Sequence, residues 1–517
     1  MDAHPAAPLD PSSEGVLKVA AQLACVAIAA VAAWSSAFVL VGNVDVSWLL
    51  IVCERLLDGA RLHLDVIEIN PPLSIWLYMP FAVAERATGL RAELWLAVGV
   101  PVFAFLSTWL FGRILHQGGL AVRPWLMPAA LATLLWLFPR DFGQREQFAT
   151  IALLPWLALL AARDRNADFV AGTPLQRIMA GLGAALFVSL KPPMAVFALV
   201  LPALYLCVVR RSARPLFTTE TLLGAAMTLF YIAWVVLFHR AYVTEIMPLV
   251  RHLYLPSRMS VAAMLALWPV VTVAAIAAAV FITTRPRGID RLAMLMLLAG
   301  AGYLPAFLLM GKGWSYQALP TLTFVILALL VQLSRLSAEV PPTLLARIGA
   351  SAGLLMVAQL FASELLALRR VANPAAPAAA IEAVVRRPTM ASIATRLQPA
   401  HPLTRMVGGR YVSAYPAFWW ADNAASLGAG ADVARSVRIE EMRDRLITDS
   451  ARDLAATRPD IIIDGGTRPT PGQRNVLDNP SIERVLQSYR VLYRDTDVTV
   501  WLRSDIASPS PGDASAR

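Results

Sequence analysis

Residues 19–41 read VAAQLACVAIAAVAAWSSAFVLV, and the following residues 42–78 read GNVDVSWLLIVCERLLDGARLHLDVIEINPPLSIWLY. The first stretch has no charged residue across 23 positions. At 1.5 Å per residue that is enough helix to cross a hydrocarbon core of about 30 Å. Backbone in such a core has no water to bond, so the crossing element must close its own hydrogen bonds, as a helix does. One basic residue, Lys18, precedes the run, which is longer than a signal-peptide core and reads as an uncleaved anchor. Its Ala-rich AIAAVAA (27–33) leaves cleavage as the alternative. The second stretch is different in kind. It holds Asp45, Glu54, Asp58, Asp65 and Glu68 and closes on Asn70-Pro71-Pro72, where the prolines stop a helix and fix the chain direction. Acids carry little topological information, so their concentration beside a span calls for another reason. Asp45 and Glu68 are placed to converge on one interfacial pocket.

The rest of the chain repeats the first stretch. The protein has 517 residues, 57% hydrophobic and 15% charged, with mean hydropathy +0.59, where a soluble domain is about 25% charged. That excludes a soluble protein, a disordered chain and a collagen-like fibre. Cys25, Cys53 and Cys207 are too few and too far apart for a disulfide scaffold or a zinc pattern. Further apolar runs lie at about 93–115, 120–138, 148–162, 174–190, 192–209, 219–239, 260–283, 290–309, 318–334 and 343–367, giving about eleven crossings. Residues 71–86, PPLSIWLYMPFAVAER, are apolar but short and end in Glu85-Arg86, so they read as an interfacial helix rather than a twelfth span.

The net charge of +10 and the pI near 9.9 do not point to nucleic acid. The basic residues sit in clusters between apolar runs: Arg113/Arg123, Arg163/Arg165/Arg177, Arg210/Arg211/Arg214, Arg285/Arg287/Arg291 and Arg335/Arg347. These fall on alternate loops, the positive-inside pattern of a multi-pass protein with a cytoplasmic N-terminus. After about residue 368, VANPAAPAAA leads into a polar tail of roughly 150 residues, the size of one small domain. Within it RPDIIIDGG reads as a buried strand, VLYRDTDVTVWLR as a strand or hairpin, and IEEMRDRLITDSARDLAATR as an amphipathic helix. The expected fold is therefore a polytopic α-helical membrane protein of about eleven transmembrane helices. Interfacial helices occupy its first outer loop, and a small C-terminal α/β domain follows on the outer side.

An Asp just after the first span, a G-x-x-x-aromatic-x-D-like element and E-x-N-P-P together make the chain resemble the GT-C superfamily. These are polytopic glycosyltransferases that use polyprenyl-phosphate sugars, among them the lipid A aminoarabinose transferases and the protein O-mannosyltransferases. The likeness runs over roughly 17–335 and includes acids in the second outer loop (Asp141, Glu146), Lys191 in SLKPP, and G-K-G-x-x-Y-x-x-x-P with Lys312 and Tyr316. Two features depart from the pattern: His63 stands where the family usually has tyrosine, and the second-loop acid lies in the arginine-bearing DFGQRE.

Hydropathy, charge pattern and crossing number give a cytoplasmic tail at 1–16, a periplasmic α/β domain at 368–505 and a disordered tail at 506–517; the resemblance implies that 17–367 is a membrane catalytic domain with its first periplasmic loop at 42–92. It implies a bacterial inner-membrane enzyme with Asp45 catalytic, acting on a polyprenyl-phosphate sugar donor and an envelope glycan, lipid or protein acceptor such as lipopolysaccharide. Membrane lipids would be its surroundings, and no nucleic acid its partner.

The chemistry asks for the same residue types. Transfer from a lipid phosphate needs a base for the acceptor hydroxyl and cations for the departing phosphate, but no general acid. Asp45 is the candidate base. Glu68 would position the acceptor, hold Asp45, or bind a divalent ion such as Mg or Mn together with Asp45 and His252. Lys312, Arg251 and Lys191 would hold the phosphate, with Tyr316 as a donor; Asn70, Arg145 and Glu146 complete the substrate set. Direct attack would invert the anomeric carbon.

Plainer readings stand beside these. Lys312 and Lys191 can be snorkelling anchors, Arg251 and His252 part of a solvated loop, and Arg140, Arg145 and Glu146 a local ion pair. Glu54, Arg55 and Asp58 read as the polar face of an interfacial helix, and Trp419, Trp420, Tyr411 and Tyr415 as core rather than sugar-stacking rings. Two other classes compete. A lipid-linked sugar flippase would show paired repeats or broken helices, which are not evident. An O-antigen polymerase or ligase would place an arginine-rich signature in a late outer loop, whereas here the first loop carries the acids.

Overall fold

The computed structural model describes residues 11–39, 43–120, 122–165, 172–190, 193–284, 288–336, 342–368, 374–428, 433–465 and 479–507. Lys191 lies outside the described residues, as do the tail segments 1–10 and 508–517. In chain order the helices begin with α1 (Pro11–Val39), α2 (Val44–Leu57), α3 (Pro72–Trp76), α4 (Met79–Thr88), α5 (Ala92–Gln117), α6 (Leu126–Trp136), α7 (Arg145–Arg165) and α8 (Pro174–Ser189). They continue with α9 (Phe197–Arg210), α10 (Thr219–Phe238), α11 (Met247–Leu249), α12 (Val261–Leu265), α13 (Trp268–Thr283), α14 (Arg291–Met310), α15 (Leu319–Leu336) and α16 (Leu344–Leu368).

The chain forms two compact units, neither continuous in sequence. Met1–Leu40, Glu93–Trp234 and Met259–Arg370 make the first, and Val41–Ala92, Val235–Arg258 and Val371–Arg517 the second. Boundaries read from composition follow the chain, so they carry no information about which loop returns to which domain.

The first unit is a membrane-type helix bundle. Among the described residues, six helices are long and apolar enough to cross a bilayer: Gly15–Ala37, Ala92–Gln117, Thr219–Phe238, Arg291–Met310, Ser315–Arg335 and Leu344–Leu368. Shorter apolar helices lie at Leu126–Trp136, Met194–Arg210 and Trp268–Thr283. Close packing follows from small residues. A Cβ on Gly302 of α14 would lie 2.2 Å from the carbonyl of Phe197, and one on Gly300 would lie 3.1 Å from that of Thr321, so glycine is what lets α14 approach its neighbours. Many arginines expected as topology signals are paired at helix ends. Arg163 meets the buried Glu220 at 2.9 Å, Arg210 meets Asp164 at 3.0 Å, and Arg335 meets Asp290 at 3.0 Å.

Two expected runs are divided. The run at 260–283 is α12 and α13, because Pro269 lacks the N–H needed to continue a helix and instead occupies the first turn of α13. The segment 71–86 is α3 and α4, of 5 and 10 residues, both too short to span.

The second unit is an α/β domain with the first loop folded into it. Its further elements are α17 (Ala375–Glu382), β1 (Thr389–Ser392), α18 (Ala400–Met406), β2 (Arg410–Tyr411), α19 (Trp419–Gly428), α20 (Val433–Thr457), β3 (Ile461–Gly465), α21 (Pro480–Leu486), β4 (Tyr489–Arg494) and β5 (Val498–Arg503). The five-stranded sheet has the order β2-β1-β3-β5-β4. β1 runs parallel to β2 and β3, and β5 antiparallel to β3 and β4, with Ile461 opposite Leu502 and Ile463 opposite Val500. Ile461, Ile462 and Ile463 are fully buried, as an apolar strand near the centre of a covered sheet must be. The expected strand, hairpin and amphipathic helix correspond to β3, β4–β5 and α20. Ile67 and Ile69 of the first loop pack against a core that contains Leu249, Leu253, Phe418, Trp420 and Ile462.

Polar contacts bind the first loop to the C-terminal segment. Arg405 of α18 bridges Glu54 of α2 and Glu85 of α4, the latter at 2.9 Å. Arg55 donates to the carbonyl of Ser413, and Ile67 N–H to that of Ala414 at 2.8 Å. Glu54 and Arg55 are thus spent on protein contacts rather than on a polar interfacial face. Asp58 pairs with Arg86. Burial pushes the Glu54 carboxyl above its ordinary range, against the opposing pull of Arg405. Replacing Arg405 with Met leaves two partly buried carboxylates without their cation. The expected loss is about 3 kcal/mol, read as a lower thermal midpoint of the purified protein; an unchanged midpoint would show that the bridge contributes nothing.

Candidate active site

In the second unit the site begins at the start of α2. Asn43 caps that helix, its Oδ1 accepting from the backbone N–H of Asp45 at 2.9 Å and of Val46 at 3.4 Å. This sets Asp45, half-buried, in the first turn, where the helix macrodipole favours an acidic residue. One turn on, buried Trp48 lies on the same face of α2 as Asp45.

Glu68 is almost fully buried. Its Oε2 accepts from the indole N–H of Trp48, and its Oε1 accepts from the backbone N–H of Asn70 at 2.7 Å and from its side-chain amide at 2.6 Å. The carboxylate therefore ties α2 to the Asn-Pro-Pro turn that starts α3. Trp48 is wedged in turn by His401, ring centroids 4.7 Å apart, and by the edge of Tyr411 at 5.6 Å. His401 is held by the carbonyl of Pro416 at 2.8 Å, and burial brings its imidazole down to about 3, so it stays neutral. Asn70, expected as a substrate ligand, is thus engaged with Glu68.

His63 is buried with a backbone φ of 67°, a left-handed conformation uncommon for a residue with a side chain. Its ring centroid is 5.0 Å from that of Tyr242 and 6.1 Å from that of His239, and Trp76 lies 5.3 Å from His239. Burial brings His63 down to about 4, so it is a neutral aromatic in this cluster at ordinary pH. Tyr242 opens a π-helical turn, Tyr242–Ile246, and a second, Val250–Tyr254, carries Arg251 and His252 into solvent while Leu253 anchors it in the core. The three-residue metal set is not assembled. Among the described residues no group of three or more His, Cys, Asp or Glu is placed to hold an ion. His252 is exposed, and both Glu68 oxygens already accept hydrogen bonds from the chain. Trp420 and Tyr411 are buried core side chains rather than open sugar platforms, and Trp419 meets the edge of Tyr254 at 5.7 Å.

The first unit holds the other half of the expected set. Lys312 lies between Gly311 and Gly313, with φ of 63° and 71°. The first ends α14 and the second keeps the strap in the left-handed region. The strap is fastened by Met259 N–H to the carbonyl of Gly311 at 2.8 Å. Lys312 is half-buried, and desolvation brings its amine down to about 8. Tyr316 stacks on Trp314 at 5.9 Å in the next turn. Arg145 and Glu146 are buried at the start of α7, after a turn in which Gly143 N–H donates to the Gln147 side chain at 2.7 Å. Arg140 does not complete a local pair there; it meets Glu364 of α16 at 3.3 Å. Glu364, a lone acid in an apolar run, is itself a signal in the sequence, whereas Trp48, His401 and Arg405 carry no local pattern that marks their contacts.

No family model matches this sequence, and no curated protein matches it. Solved structures do match in fold. The structure of ArnT from Cupriavidus metallidurans bound to undecaprenyl phosphate covers 97% of this chain and 100% of its own at a TM-score of 0.55, with 14% identity. ArnT from the same organism in the apo state covers 94% and 98% at a TM-score of 0.53, with 13% identity. The chain thus shares its fold with these ArnT structures over nearly its whole length.

Replacing Trp48 with Phe keeps most of the ring packing but removes the donor to a buried carboxylate. The expected cost is about 1–3 kcal/mol, measured by thermal unfolding. A variant as stable as the native protein would mean that Glu68 does not depend on the indole.

Proposed function

We propose that this protein is an integral membrane glycosyltransferase that moves a sugar from a polyprenyl-phosphate carrier to an envelope glycan, lipid or protein, with inversion, on the periplasmic face of a bacterial inner membrane. The N-terminus would be cytoplasmic and the C-terminal domain periplasmic. The observation that carries the reading is the fixed start of α2: Asp45 in the first turn after the first span, on a helix locked by Trp48 and Glu68. Beside it stands a fold shared over 97% of the chain with an ArnT structure bound to undecaprenyl phosphate.

In this reading Asp45 accepts the proton of the acceptor hydroxyl as its oxygen attacks the anomeric carbon, and the bond to the carrier phosphate breaks with its electron pair. Phosphate is a good leaving group, so no proton need be delivered to it. Lys312 and Tyr316 bear the charge of the departing phosphate, and Arg251 and Lys191 are the further cations for it. Arg145 and Glu146 would serve the substrate as a buried pair at the head of α7. Glu68 and Asn70 act as positioning residues for the Asp45 helix. The clustering of acids in the first loop favours this over translocation.

The test is transfer from radiolabelled polyprenyl-monophosphate sugars to envelope extracts. Asp45→Asn should insert and fold normally yet lose about 10²-fold or more of the rate; full activity in the variant would remove Asp45 from the chemistry. Lys312 adds a pH signature. Its amine loses its proton as pH rises through about 8, so donor affinity should fall between about pH 7 and 9, and Lys312→Arg, charged throughout, should flatten that fall. Equal pH profiles for the two proteins would take Lys312 out of the donor site.

A further inference from the structure

Away from these residues, the bundle contains a cavity of about 480 Å³ lined by Arg163, Arg177, Arg214, Phe217 and the hydroxyl side chains of Ser212, Thr218 and Thr219. It lies where α7 ends, α8 begins and the α9–α10 connection turns, the end that the arginine distribution marks as cytoplasmic.

Its walls are preset by glycine. A Cβ on Gly183 of α8 would fall 2.1 Å from the carbonyl of Ala152 in α7, and one on Gly181 would fall 2.9 Å from that of Glu220 in α10. The three helices are therefore in near backbone contact, which fixes them relative to one another.

The lining is unbalanced in charge. Arg163 is neutralised by a two-pronged contact with Glu220, at 3.0 and 2.9 Å. Arg177 and Arg214 form no ion pair among the described residues, and the Nε–H of Arg177 is buried without a hydrogen-bond partner there. Thr218 and Thr219 bring the N-terminus of the 20-residue α10 to the same wall. Two guanidinium groups with no acidic partner among the described residues, hydroxyl donors and a helix N-terminus are the donor set for a phosphate group. Phe217 of the lining is 66% exposed and gives the cavity an apolar rim suited to acyl chains.

We propose that this cavity is a second anion site, distinct from the Asp45 and Lys312 residues, that binds a phosphate-bearing ligand. The phosphate comes either on a lipid headgroup, as the apolar rim favours, or on a small soluble phosphate ester. Basic pockets between membrane helices recognise headgroups in this way.

The experiment is native mass spectrometry of the purified full-length protein with phosphatidylglycerol, phosphatidylcholine or glycerol 3-phosphate added separately. It compares the native chain, R177Q/R214Q, and a control, R211Q/R347Q, that removes two charges outside the lining. The expected result is preferential binding of phosphatidylglycerol, weakened about tenfold or more in R177Q/R214Q and unchanged in the control. Saturable binding of glycerol 3-phosphate with the same variant pattern would assign the site to a soluble ester and still support it. Equal loss in the two variants, or no anion binding in the native chain, would overturn the proposal. If R177Q/R214Q does not fold, R214Q alone, which alters an exposed side chain, is read in the same assay by the same criteria.

Discussion

A peptide group in hydrocarbon finds no water to bond, and the remaining features of this protein are arranged around that constraint. The first unit meets it with helices, and with glycines such as Gly183 and Gly302 where two helix backbones must approach. Charges are pushed to helix ends, and many of those that remain are neutralised by a partner from another helix, as in Arg163–Glu220, Arg210–Asp164 and Arg140–Glu364.

The first loop shows how such a segment acquires rigidity. Its helix α2 is too short to stand alone in water, and its acids would repel one another if left together. Folding it against the C-terminal α/β segment addresses both. Arg405 satisfies Glu54 and Glu85, Ser413 receives Arg55, and Trp48 is fixed between Glu68 and the rings of His401 and Tyr411. The C-terminal segment thereby positions the helix whose first turn holds Asp45, a physical reason for a domain with no recognisable motif of its own to be present. Glu68 turns out to hold geometry rather than face outward, since its oxygens accept from Trp48 and Asn70.

Much of this was legible in the chain. Long uncharged runs read as helices, triple isoleucine read as a buried strand, and Asp45 stood out because it closely follows a span. The G-K-G around Lys312 was legible as a landmark of the resemblance, and the structure adds that its glycines take positive φ on both sides. Glu54 and Arg55 were misread as a polar face because helical spacing reports amphipathicity but not what covers the polar side. Glu364 carried a signal, a lone acid in an apolar run, that went unweighed. Arg405 carried none, because its partner Glu54 is 351 positions away and such a contact leaves no local periodicity. The division of 260–283 at Pro269 was available from proline chemistry, yet the apolar character of the whole run concealed it.

The sequence by itself determined that this is a polytopic helical membrane protein, which end of each apolar run is basic, and which acids and lysines stand next to those runs. Those properties follow from transfer free energies and steric rules that act residue by residue along the chain. The tertiary structure alone decided that the first loop and the C-terminal segment form one folded unit, that Glu68 is a buried strut, and that three arginines from separate segments surround one cavity. Those outcomes depend on which surfaces meet after the chain has turned back on itself, and neither hydropathy nor spacing encodes that meeting.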